Sequence, residues 1–173
     1  VVQLVSKTPE KNSAFVTGEI GENSTYKTLV GADLAENGFY AQIRGQHLET
    51  DGTPVKDSKN APDAAFDQTG YSAKFGVEKE KYALSLDYSE NEGNSQYDNY
   101  GAVANQDFKN EIVNIKGRVN LAPSVEVNAR VSQFKDDIDQ NDLNYLGTYD
   151  FVHSTTQEAE LYGKWNFTPS QSI

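Results

Sequence analysis

The chain has no cysteine and no methionine. Without thiols there is no disulfide, no zinc–thiolate site and no cysteine nucleophile. The gap also fits export through an oxidising compartment, where an unpaired thiol is a liability. No run approaches the roughly 18 consecutive apolar residues that a membrane-spanning helix needs. Histidine is confined to His47 and His153, neither of them in a pattern with a Ser or Cys partner. The glycines are scattered singly instead of forming a phosphate-binding loop. With no catalytic constellation to build on, the chain is read as a non-enzyme. Basic residues are also scarce. Lys and Arg number 15 against 26 Asp and Glu, for a net charge of -11. That removes the basic face that phosphate recognition requires, and nucleic acid as a partner with it. With no initiator Met and no signal peptide, Val1 is not expected to be the natural start.

What is present is alternation. Tyr82, Leu84, Leu86 and Tyr88 point one way, while Ala83, Ser85 and Asp87 point the other. The same period of two runs through Val113–Leu121, Val125–Val131, Phe39–His47 and Glu158–Phe167, and it is the mark of β-strands. Eight strands are predicted, at about 14–20, 25–34, 39–49, 70–78, 82–90, 110–121, 125–135 and 156–167. Hydrophobic residues make up only 36% and the mean hydropathy is -0.69. A membrane β-barrel tolerates this, because its strands need apolar residues on one face only.

The connections separate a barrel from a soluble sandwich. Short ones fall at Ala35–Gly38, with its hairpin signal Asn37-Gly38, at Lys79–Lys81, at Ala122–Ser124 and at Thr168–Ser170. Long ones are predicted at about 50–69, 91–109 and 136–155, with Gly21–Ser24 short where a long one is due. Short turns on one side and long loops on the other describe an outer-membrane barrel. Phe39, Tyr82, Trp165 and Phe167 lie near the short turns, where an interfacial girdle belongs. The fold class is therefore all-β: part of an antiparallel transmembrane β-barrel in the bacterial outer membrane, with lipid and lipopolysaccharide as its surroundings. A passive porin and a soluble all-β adhesion or carbohydrate-binding domain are the rival readings.

Val1-Val2-Gln3-Leu4-Val5-Ser6-Lys7-Thr8-Pro9 resembles the segment that closes the plug of TonB-dependent outer-membrane receptors and leads into their first barrel strand. The resemblance implies that residues 1–12 end a plug domain and its linker. Residues 13–173 would then be about eight of the family's roughly 22 strands. It further implies energised uptake of a bulky, scarce nutrient chelate, cobalamin or a ferric siderophore. The TonB complex would act through a plug region upstream of this chain.

Spacing is most similar to the cobalamin-receptor branch, whose Asp-rich extracellular segments bind calcium. By that resemblance the metal ligands fall at Asp51, Asp67, Tyr149 and Asp150. Thr69 stands where a further Asp is wanted. Calcium is a hard ion that takes six to eight oxygens, many from carboxylates. No other cofactor is implied. Independently of the resemblance, Lys27, Gln42, Arg44, Lys74, Asp87, Asn114, Lys116, Arg118, Arg130 and Lys164 are expected to face the lumen. Tyr97, Tyr100, Tyr145 and Tyr149 are candidates for contact with a large planar ligand.

Overall fold

The computed structural model describes residues 8–54, 61, 63–99, 102–142, 149–168 and 171–172. Val1–Lys7, Tyr100 and Tyr145 lie outside the described residues. The architecture is one antiparallel sheet of nine strands, each paired with the next in chain order. The strands are β1 (Ser13–Ile20), β2 (Tyr26–Glu36), β3 (Phe39–Thr50), β4 (Phe66–Glu78), β5 (Tyr82–Asn99), β6 (Ala102–Ala122), β7 (Val125–Asp142), β8 (Tyr149–Thr168) and β9 (Gln171–Ser172). β1 and β9 are its edges, and the sheet is not closed.

The turns explain the hairpins. Asn37 and Gly38 both have positive φ, 51° and 77°, as the type I′ turn between twisted strands requires. Gly21–Ser24 is also a tight turn, with Asn23 and Ser24 at φ 55° and 54° and the Gly21 amide donating to the Thr25 carbonyl at 2.8 Å. At the Pro123–Ser124 turn the register shifts between Asn120 and Ala122.

Two of the three long loops expected from the sequence are mostly strand. β5 runs on to Asn99 and β6 starts at Ala102, so residues 91–99 and 102–110 pair with each other from Asn91↔Asn110 to Asn99↔Ala102. β7 runs to Asp142 and β8 starts at Tyr149, which absorbs most of 136–155. The segment at 50–69 is trimmed from its C-terminal side, since β4 starts at Phe66, and a bridge joins Pro54 to Asp63. The four strands β5 to β8 have 18, 21, 18 and 20 residues, or roughly 60–70 Å each at the usual rise. The backbone ladder does not need one face to be apolar, so it continues where the apolar alternation stops.

Register assigns every residue to a face. Residues directly opposite share a side, so Val30, Gly45 and Tyr71 lie in one row with Val16. Leu84, Gly117, Ala129 and Leu161 form another row on the same side. This apolar face is the exposed one: Leu34 is 60% exposed, Leu84 53% and Leu161 75%. Ala104 is the buried hydrophobic side chain, and there is no buried polar or charged residue among those described. Among the described residues the sheet has no dry core, and its largest apolar surface is exposed.

Three glycines on the opposite face sit under aromatic rings of the neighbouring strand: Gly31 opposite Phe15, Gly76 opposite Tyr40 and Gly93 opposite Phe108. A Cβ at Gly31 would lie 2.7 Å from the Phe15 ring and 2.7 Å from Arg44 Cδ, well inside contact distance. Ring-over-glycine pairs restore packing that glycine lacks and pin the register. Gly31→Ala should therefore destabilise the sheet by about 1–3 kcal/mol through overpacking, whereas Gly117→Ala, with its nearest neighbour at 4.0 Å, should be close to neutral. Urea unfolding of both variants checks this. Phe15→Leu should recover part of the Gly31→Ala loss in a double-mutant cycle.

Candidate functional site

All ten residues predicted to face the lumen lie on the second face, as the register places Lys27, Arg44, Lys74, Asp87, Lys116 and Arg130 in connected rows with the rest. Level with the apolar belt, this face is a chain of ion pairs. Arg44 Nη2 donates to Asp33 Oδ1 at 2.6 Å, and Gln42 and Ser13 donate to the same carboxylate, each at 3.0 Å. The Arg44 guanidinium lies 5.0 Å from the centre of the Phe15 ring. Asp87 sits between Lys74 and Lys116, each at 3.7 Å. Arg118 is held between Glu78 at 3.5 Å and Glu126 at 3.7 Å. Arg130 reaches Glu158 at 2.9 Å and Glu160 at 3.1 Å. These side chains neutralise one another, so the wall is polar but carries no single sign of field.

Beyond the belt the outer face changes character. Lys109 Nζ donates to Glu90 at 2.8 Å and to Glu92 at 3.4 Å, and Lys135 pairs with Glu111 at 3.0 Å. The Lys109 ammonium, helped by the Tyr88 hydroxyl at 2.6 Å, holds the Glu90 carboxyl below the usual carboxylate range. Reciprocally, the Glu90 hydrogen bond raises Lys109 above the usual lysine value. His47 lies at the end of the belt, with Nδ1 2.9 Å from Thr69 Oγ1 and its ring against Tyr26. His153, expected in the long loop at 136–155, is in β8 with Nε2 3.2 Å from Asp139 Oδ1.

The four residues matched to calcium ligands separate into two places. Asp51 directly follows β3 and Asp67 is in β4, paired across the strands with Glu49. Tyr149 and Asp150 begin β8, and Asp150 Oδ1 accepts from the Phe151 amide at 2.9 Å. Four strand spacings separate β4 from β8, roughly 19 Å across the sheet, and Asp67 and Asp150 are on opposite faces by register. One ion takes its ligands at about 2.3–2.6 Å, so this sheet does not bring the two pairs together. Among the described residues, no group of three or more His, Asp or Glu is placed to hold a metal.

Sequence reasoning missed the second face of the extensions. There Gln68 Nε2 and Gln46 Nε2 both donate to Asn91 Oδ1, at 3.0 and 3.4 Å. Gln140 Nε2 donates to Gln106 Oε1 at 3.1 Å. Phe66 and Phe108 stack with centroids 5.9 Å apart. Gly70 leaves room for the amides, since a Cβ there would lie 3.0 Å from Gln46. The signal was present in β6: Val113, Ile115 and Val119 are odd-numbered, whereas Ala104, Phe108 and Ile112 are even. The apolar phase inverts between Ile112 and Val113.

No known protein family, curated protein or solved structure matches the chain, so the site rests on its own geometry. Asp87 Oδ2 is closed off from solvent without a hydrogen-bond partner, and Lys74 and Lys116 both lie within ion-pair distance of this carboxylate. Asp87→Asn should cost about 2 kcal/mol by removing the negative charge opposite the largely buried Lys74. Glu90→Gln, at an exposed pair, should cost less and lose its effect in high salt. Urea titrations at low and high ionic strength separate the two.

Proposed function

We propose that the chain is wall of a bacterial outer-membrane β-barrel of the TonB-dependent receptor type, working in energised nutrient uptake. The carrying observation is the inverted sheet. Its apolar side chains are exposed on one face while its ionic side chains pair on the other. Water-soluble monomers rarely expose an apolar surface of this extent, whereas lipid against a barrel wall calls for it.

Three further features support the reading. The belt spans about seven to nine residues per strand, or roughly 23–30 Å along the strand before tilt, near the height of an outer-membrane apolar band. Aromatic residues border it at both ends of the outer face: Phe39, Tyr82 and Trp165 at the short-turn end, Tyr26 and Tyr71 at the other. Thr8, just ahead of β1, lines the same hollow as Tyr40, whose side is the ionic face. A chain arriving from inside the barrel, as a plug does, meets the wall on that side.

In this reading the long strands carry the wall outward from the membrane and present its inner surface to the ligand. The resemblance supplies cobalamin or a ferric siderophore as ligand and the TonB complex as energy source. Of the residues the resemblance matches to calcium ligands, Asp51 and Asp67 are the two this reading keeps for any calcium dependence, since Asp67 lies opposite Glu49 and Asp51 directly follows β3. The whole protein should need detergent and show heat-modifiable migration on a gel, and a water-soluble monomer would sink the barrel. Leu84→Arg, facing lipid, should lower folding into bilayers by about 2–4 kcal/mol, while Ser85→Arg on the other face should be tolerated. Uptake of labelled nutrient should stop when the inner membrane is de-energised; uptake that continues identifies a passive channel.

A further inference from the structure

Charge is sorted by level and by face. Level with the belt, the inner face is dense in paired ions; beyond the belt, the outer face carries Glu90, Glu92, Lys109, Glu111 and Lys135. The inner face beyond the belt is different. From Gln46 in β3, Gly70 in β4, Ser89 in β5, Ile112 in β6, Ser132 in β7 and Thr156 in β8 outward, these six strands place no Lys, Arg or His on it among the described residues, and Lys27 of β2 borders it opposite Leu48. It consists instead of carboxamides, hydroxyls and rings, together with the aliphatic Leu48, Ala104, Ile112, Ile138 and Val152, and few acids, of which Asp136 accepts a hydrogen bond from Asn110.

We infer that this surface binds a neutral, polyhydroxylated solute of the oligosaccharide class. The inference rests on the barrel reading above and gives that receptor a ligand class other than the one the resemblance implies. A carboxamide both donates and accepts, which matches sugar hydroxyls that do the same. Gln106 and Gln140, and likewise Gln46, Gln68 and Asn91, use only part of their capacity on one another. The stacked pair Phe66–Phe108 supplies an apolar plane of the kind that covers the C–H face of a pyranose. Among the described residues an anionic chelate finds one cation, Lys27, at the margin of this surface and meets a chain of net charge -11, so electrostatic complementarity runs against it.

The test uses the whole protein in detergent micelles. Its probes are maltohexaose, cellohexaose and chitohexaose, with oligogalacturonate and a heparin hexasaccharide as anionic counterparts. Binding to at least one neutral oligomer is expected, weakened about ten-fold in Gln106→Ala, the loss of a hydrogen bond to a ligand, and unchanged in Lys109→Ala on the outer face. Phe108→Ala should also weaken it. Because that ring covers Gly93, Gln68→Ala serves as the variant that leaves the packing intact. Binding of none of the neutral oligomers, preference for the anionic ones, or indifference to both glutamine substitutions overturns the inference. The two readings fail separately: a micelle-embedded barrel that ignores neutral oligomers sinks only the ligand class, and a protein soluble without detergent sinks the barrel itself.

Discussion

Everything in this sheet follows from one constraint, the antiparallel ladder. Each backbone amide and carbonyl must find a partner, and here each strand finds it in the next strand of the chain. Once the ladder is set, side chains have only two directions available, and the choice at one position fixes all the others in the row. The protein uses this to build a wall with two unlike surfaces and no interior. Stability that a soluble domain draws from a dry core is drawn instead from the ladder, from cross-strand pairs such as Arg130 with Glu158 and Glu160, and from whatever medium covers Leu84 and its row.

The ionic face shows how polar side chains are kept at the belt. Asp87 between two lysines and Arg118 between two glutamates are alternating arrangements, each charge flanked by its opposite. Such a mesh fixes long side chains in place while presenting little net field. The amide-lined surface farther along the same face lacks this self-neutralising character, because it has almost nothing to neutralise. Two chemistries thus share one face of one sheet, divided at the level where the opposite face turns from apolar to charged.

Much of the fold was legible in the sequence where side-chain chemistry and geometry agree. Tyr82–Tyr88 reads as a strand because its apolar side is unbroken, and Asn37-Gly38 reads as a turn because few other dipeptides accept two positive φ values. That Lys27, Arg44, Asp87 and the others share one face was legible for the same reason, since parity along a strand is enough to assign it. The extensions were not. In 91–109 the outer face is charged and the inner face mixes amides, glycine and rings, so no apolar stripe marks the strand. Segments rich in Asn, Asp and Gly look like loops to any reading based on hydrophobicity. The acids at Asp51, Asp67 and Asp150 were visible as residues, but their separation is a property of strand order, which composition does not report.

The rings over Gly31, Gly76 and Gly93 bear on how this chain avoids assembling wrongly. A misaligned hairpin shifted by one residue is rejected at once, because it turns every apolar side chain to the wrong surface. A shift of two escapes that check, since parity is preserved. It would, however, move Phe15 from Gly31 onto Leu29 or Asp33, Tyr40 from Gly76 onto Lys74 or Glu78, and Phe108 from Gly93 onto Asn91 or Ser95. Hydrophobic alternation thus acts as a parity bit, and the glycine–ring pairs as a second check digit, catching the even-numbered errors that the first lets through.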